Sequence, residues 1–363
     1  MSSPESSCDK SQEDILSTSD IWLRRNNFDL LRFLFALVVF LVHAYVLSGV
    51  ESLSLLGKFF CSGIAVKSFF VVSGFLIFMS YENTENGHEY FMKRVRRIYP
   101  AYFFVILGIA VLGGIFTTYP LGEYISLPVL KYVAANLVFL NFLQPILPGL
   151  FENNTLQAVN GALWTIKIEV MFYFFVPLVV VAFRKFGRMP VMVTLYIASV
   201  MYSVLMEELA RQTGGALFLV LQHQLPGQLV FFIAGAAGYY WFQYLAKYRL
   251  WLLVISVSCF VLQYWLSSIV ILPVALGGLV LYFACFFPCV GNFGKYGDFS
   301  YGIYIVHFPI LQILISHGLF KESPWLMLII AGLLVMIVAV FLWYFIEKPF
   351  LRKSSHYVAV NQG

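Results

Sequence analysis

The chain has 363 residues, of which 61% are hydrophobic and only 11% charged. Soluble globular domains carry about 25% charged residues, so this composition places the chain in lipid and excludes an ordinary water-soluble enzyme. The net charge of +5 does not point to nucleic acid, because the Lys and Arg fall in short clusters between apolar segments and form no long basic tract.

In chain order, residues 1–25 are Ser-rich and acidic, without the positive start and apolar stretch of a signal peptide. They read as a disordered cytoplasmic tail. Residues 26–350 read as one integral-membrane domain, followed by a cytoplasmic C-terminal tail over 351–363. The predicted fold class is all-α: a polytopic membrane bundle of about ten transmembrane helices, judged by length and apolarity. The predicted spans are 28–48, 58–80, 98–117, 162–183, 189–206, 225–243, 250–266, 269–287, 300–319 and 325–346. Only Ser267 and Ser268 divide the seventh from the eighth, and one long broken hairpin is an alternative there. The 37 Phe, 22 Tyr and 7 Trp suit lipid-facing helices and interfacial belts. The five cysteines lie in the N-terminal tail or in apolar runs, and read as small buried hydrophobes rather than metal ligands.

Orientation follows from the basic clusters. Arg24 and Arg25, Lys93 to Arg97, Arg184 to Arg188, Lys247 and Arg249, and Lys348 to Lys353 all fall on one side of this map. The positive-inside rule makes that side cytoplasmic, with both termini. The longest outside connection, about 118–161, holds a short apolar stretch at 131–140, too short to span and read as an interfacial or re-entrant helix.

The groups that need explaining are ionisable residues inside apolar spans, which mark functional sites more often than structural ones. Arg32 and His43 stand eleven residues apart in the first span, on one face and about 16 Å apart along the axis, with Asp29 one turn below Arg32. Arg94 and Arg97, in KRVRRIYP, fit either ordinary cytoplasmic anchors or a paired clamp for a phosphate. Glu169 lies about five residues into the fourth span, where both structural pairing and a catalytic role fit; Lys167, two positions away, faces elsewhere. Trp164 reads first as a belt residue. His307, in FSYGIYIVHFPI, shares a face with Ser300 and reads either as a packed, hydrogen-bonded histidine or as part of a site. Ser73, beside Gly74 in the second span, fits helix packing as readily as substrate passage. No HExxH, Walker loop, GxSxG elbow or dinucleotide fingerprint occurs, so neither a metal nor a nucleotide motif is expected. A buried histidine with arginine to hold negative charge, and a carboxylate in reserve, suits acyl transfer to a hydroxyl.

These segments, in this order, resemble the integral-membrane acyltransferase-3 family. The resemblance rests on Arg32-x10-His43, FFVVSGFLI, the RxxR of Arg94 and Arg97 with Tyr99 and Pro100, LWTIKIEVMFY, FSYGIYIVHFPI and IEKPF. Bacterial members O-acetylate lipopolysaccharide O-antigens, exopolysaccharides and nodulation factors. The resemblance implies acetyl-CoA, or another acyl-CoA, as cytoplasmic donor, and a glycan or lipid-linked oligosaccharide hydroxyl as acceptor. It implies His43 as the catalytic histidine, Arg32 as its essential partner, and Arg94 and Arg97 as the RxxR pair near the donor. From the residues themselves, Glu169 is the candidate carboxylate of the catalytic set and Ser73 a candidate on the donor side. Asp29, Trp164, Tyr301 and His307 form the supporting set. Lys167 stands where the family usually has a small polar residue, and the extracytoplasmic hydrolase-like domain of some members is not expected here. A secondary transporter of a small anion or sugar is the rival reading, from polar groups at several depths and the breakers Pro226-Gly227, Pro273 and Gly277-Gly278.

Overall fold

The computed structural model of the protein describes residues 26–266, 269–291 and 293–351. The two tails, and Ser267 and Ser268 on which the seventh division rests, lie outside the described residues. Every regular element among the described residues is helical, in keeping with a polytopic helix bundle. Among the described residues eight helices are long and apolar enough to cross a membrane. The predicted spans at 269–287 and 300–319 are instead shorter apolar helices, Leu272–Phe286 and Ser300–Ser316.

The longer elements are α1 (Phe28–Ser48), α2 (Ser62–Glu82), α3 (Gly87–Phe116), α4 (Leu127–Leu137), α5 (Trp164–Phe186), α6 (Arg188–Thr213), α7 (Ala216–Gln222), α8 (Leu225–Tyr240), α9 (Arg249–Leu266), α10 (Leu272–Leu281), α11 (Ser300–Ser316) and α12 (Pro324–Phe341). The chain divides into two compact units. Among the described residues, one comprises 26–31, 67–85 and 174–293; the other comprises 32–66, 86–173 and 294–351.

In the first unit α6 packs on α8, and α10 packs on both α8 and α9. Residues 71–75 of α2 meet α8 at backbone distance. A Cβ on Gly74 would strike the carbonyl of Phe232, and one on Gly235 would strike the carbonyl of Val71. Small residues that let two helix backbones touch are the usual device for helix association where burial from water supplies no drive. Gly74 of the SGF segment is such a residue.

The second unit carries the site. Its helix α3 starts eleven residues before the predicted span because Asn86 caps it, accepting from the backbone N–H of Glu89 at 2.8 Å. An i,i+4 pair between Glu89 and Lys93, 3.3 Å, supports the first turns. The basic cluster thus lies on the helix itself. The expected re-entrant stretch is α4, held to α3 where the Tyr102 hydroxyl donates to the Asn136 carbonyl at 2.8 Å. Helix α11 packs on α3 and α12, and α12 ends in a wide π turn over Leu342–Glu347 that turns Trp343 and Glu347 inward.

The reading of the cysteines needs correction. Cys285 is buried, but Cys61 and Cys289 are exposed and Cys259 is half-buried. Apolar sequence context gave the wrong answer for Cys61 and Cys289 because both stand beside helix ends, where lining an apolar run does not mean being covered by one.

Candidate active site

Two polar contacts join α1 to α11 and its preceding turn. At one end Arg32 donates through Nη1 to Oδ2 of Asp298. At the other, His43 Nδ1 and His307 Nε2 lie 2.8 Å apart. Both sides keep step: eleven residues separate the contacts on α1 and nine on the other strand of chain, about 16 and 14 Å at helical rise.

The first contact is part of a four-residue charge cluster. Oδ2 of Asp298 also accepts from Nη2 of Arg97, whose Nη1 donates to Oε2 of Glu347 at 2.7 Å. Oδ1 of Asp298 accepts from both the backbone N–H and the hydroxyl of Ser300, which fixes the start of α11. Two cations and two carboxylates balance, as buried charges must. Asp298 and Glu347 side chains are 1% and 0% exposed, against 19% for Arg32 and 14% for Arg97. The Arg97 guanidinium also lies over the rings of Tyr301 and Trp343, 5.9 and 5.6 Å from their centres. Burial pushes the Asp298 carboxyl up, but Arg32, Arg97 and the Ser300 bonds outweigh it and hold it below the usual carboxylate range. The turn that presents Asp298 needs Gly297: its φ is +128°, and a Cβ there would run into the Trp343 indole.

The second contact is a histidine pair. His43 is half-buried on α1 and His307 fully buried on α11. Phe308 stands edge-on to His43, ring centres 5.6 Å apart. His307 sits one turn after Ile303, whose carbonyl lies 3.2 Å from its Nδ1. Pro309, two residues on, has no N–H to return to the Ile305 carbonyl. Asn160 fills that place, donating from Nδ2 to Ile305 at 2.8 Å, and so ties the loop before α5 to the turn of α11 that carries His307.

Glu169 belongs to a third cluster. It accepts from the Tyr173 hydroxyl at 2.7 Å, and the Arg94 guanidinium lies 5.9 Å from the centre of the Tyr173 ring. The Tyr173 carbonyl, which Pro177 cannot serve within α5, accepts from the Tyr90 hydroxyl at 3.2 Å. Arg94 and Arg97 therefore serve different groups despite their shared motif. Lys167 lies over the Phe142 ring at 4.7 Å. Tyr301 donates to the Ile98 carbonyl at 3.0 Å beneath Arg97. Trp164 is half-buried at the first residue of α5. Asp29 lies in the first turn of α1, and Ser73 is half-buried on α2; both fall in the unit that does not hold these clusters.

Sequence reasoning missed Asp298 and Glu347, the two most buried carboxylates of the cluster. Their signals were present: Asp298 directly precedes FSYGIYIVHFPI, and Glu347 is the acid of IEKPF.

The profile of the family described as "Acyltransferase domain" matches residues 25–344. The chain belongs to this acyltransferase family. Among curated proteins it is similar to nodulation protein 10 of Rhizobium leguminosarum bv. viciae, 27% identical over 365 residues, 92% of this chain and 95% of that protein. It is also similar to the O-acetyl transferase of Shigella phage Sf6, 27% identical over 351 residues, 92% of this chain and 98% of that protein. No solved structure gives a significant match. Family membership with eight apolar helices makes the chain a multi-pass membrane acyltransferase.

Proposed function

We propose that this acyltransferase moves an acetyl group from cytoplasmic acetyl-CoA to a hydroxyl of a surface or lipid-linked glycan, in the cell inner membrane with both termini cytoplasmic. The observation that carries the reading is His43, a half-buried imidazole on a membrane-spanning helix, backed by a second imidazole. A positioned histidine of this kind is a general base for a hydroxyl. The end-to-end similarity to a protein named as an O-acetyl transferase supports oxygen as the acceptor atom and acetyl as the group.

The chemistry balances without another reagent. His43 takes the acceptor hydroxyl proton as its oxygen attacks the thioester carbonyl; the new C–O bond forms, the C–S bond breaks, and the leaving thiolate takes the proton from His43. Arg97 is held between two carboxylates, so its part is to fix Asp298 and Arg32 in place. Arg94, with Lys93 and Arg96 on the same helix, takes the anionic end of the donor. Glu169, held by Tyr173, lies next to that arginine through the shared tyrosine. The basic clusters on one side of the span map support cytoplasmic termini.

The decisive experiment compares surface glycans of the source organism with and without the gene by mass. The expected result is loss of one acetyl mass per repeat unit on deletion, restored by the wild-type gene and not by His43→Ala at equal protein abundance. Unchanged glycan masses, together with no thioester cleavage by the purified protein, overturn the proposal.

A further inference from the structure

The reacting nitrogen of His43 is written in the hydrogen bonds behind it. His307 Nδ1 faces the Ile303 carbonyl at 3.2 Å. A carbonyl only accepts, so Nδ1 carries the proton, and in a neutral ring Nε2 is then a bare acceptor. That acceptor lies 2.8 Å from His43 Nδ1. The ring centres are 5.1 Å apart with planes 15° from parallel. This is nearly the largest separation a 2.8 Å contact between ring nitrogens allows, so the bond runs along the line of centres, where an imidazole lone pair points. His43 Nδ1 is therefore the donor.

We propose that His307 is a positioning residue that locks His43 in its Nδ1–H tautomer, leaving Nε2, at the less buried end of the pair, as the nitrogen that takes the acceptor's proton. The assignment deepens the acyl-transfer reading and rests on it for the chemistry. The lock begins at a backbone carbonyl, so it does not depend on a carboxylate beside the histidine. Asn160 and Pro309 set the same turn of α11, which holds His307 at its height along the helix. When His43 Nε2 takes the acceptor proton, the Nδ1–H···Nε2 bond becomes charge-assisted and shortens the list of groups needed to hold the imidazolium.

The test is solid-state NMR of ring-15N-histidine protein in lipid bilayers. The chain has six histidines, so His43→Gln and His307→Gln difference spectra assign the pair. The expected wild-type spectrum has His43 protonated at Nδ1 and bare at Nε2, with a coupling across the hydrogen bond to His307 Nε2. In His307→Gln the amide oxygen replaces the Nε2 acceptor, and the His43 tautomer persists with kcat within about tenfold of wild type. In His307→Leu the two tautomers mix and kcat falls roughly a hundredfold or more, with KM for acetyl-CoA unchanged. A wild-type His43 protonated at Nε2 overturns the proposal, as does a folded His307→Leu protein with kcat within about threefold of wild type. If the tautomer is as expected but wild-type protein cleaves no acyl-CoA, the lock stands and the acetyl-CoA reading fails.

Discussion

Replacing Asp298 by Asn removes the anion on which two arginines converge while keeping the shape. Asn retains one oxygen for Ser300, so the bonds that hold the start of α11 remain. The other oxygen becomes an NH2 facing Nη1 of Arg32 and Nη2 of Arg97, donor against donor. Two charge-assisted bonds at about 1.5–3 kcal/mol each put the loss between about 3 and 6 kcal/mol. Removing one member of a buried pair gives a similar range, about 3–5 kcal/mol. The arginines keep 19% and 14% exposure, which lets water relieve part of the charge, so about 3 kcal/mol is expected. The same cluster predicts rescue. Arg32→Gln with Asp298→Asn leaves Arg97 paired with Glu347 and restores neutrality, so the double variant should be more stable than the sum of the singles by about 1–3 kcal/mol. The assay is equilibrium unfolding in mild detergent, followed by tryptophan fluorescence, with Trp343 over Arg97 as a local reporter. The pH sign is fixed by the lowered carboxyl. Stabilisation by Asp298 is fully present above the ordinary carboxylate range and is lost as pH falls through the depressed value, so the gap to Asp298→Asn should hold from about pH 8 to about pH 5, narrow below about pH 4 and close only near about pH 2. An Asp298→Asn protein within about 0.5 kcal/mol of wild type, or single effects that simply add, would refute this account.

Three further outcomes follow from the geometry. Arg97→Ala should strip Glu347 of its cation and lower folded yield sharply. Arg94→Ala should keep yield but raise KM for acetyl-CoA by about tenfold, and equal behaviour of the two variants in yield and KM would show that they act as one clamp. Glu169→Gln keeps an acceptor for the Tyr173 hydroxyl, so abundance should match wild type while Glu169→Ala destabilises by about 1–3 kcal/mol; turnover of the Gln variant then reads the need for charge alone. Gly74→Ala should fail to give monodisperse protein, because its Cβ meets the Phe232 backbone rather than a side chain that could swing away.

The composition settled the membrane class, since 61% hydrophobic residues with 11% charged suit lipid, and the length of the apolar runs made it helical. His43 and Arg32 stood out because an ionisable group amid apolar residues is visible without knowing any neighbour. Asp298 and Glu347 were hidden by the opposite circumstance. Each lies at the edge of an apolar helix, where a charge is ordinary, and only tertiary packing of α3, α11 and the π turn buries them. The contact of His43 with His307 spans 264 residues and leaves no local trace, so each ring could be noticed but their pairing could not. The early start of α3 was legible, in that Asn86 followed three residues later by Glu89 is a helix-start pattern.

The spacing of the charge cluster along the chain bears on biogenesis. Arg32 and its carboxylate are 266 residues apart, and Arg97 and Glu347 are 250 apart. At about 5–20 residues per second of synthesis, each arginine waits on the order of tens of seconds for its counter-ion to emerge. During that interval two cations sit in or beside apolar helices with their final anions still unmade. The insertion machinery, lipid headgroups or a membrane chaperone must shelter them until the last helix arrives. A nascent chain stalled before residue 298 lacks the carboxylate on which both arginines converge, a feature that marks an unfinished protein.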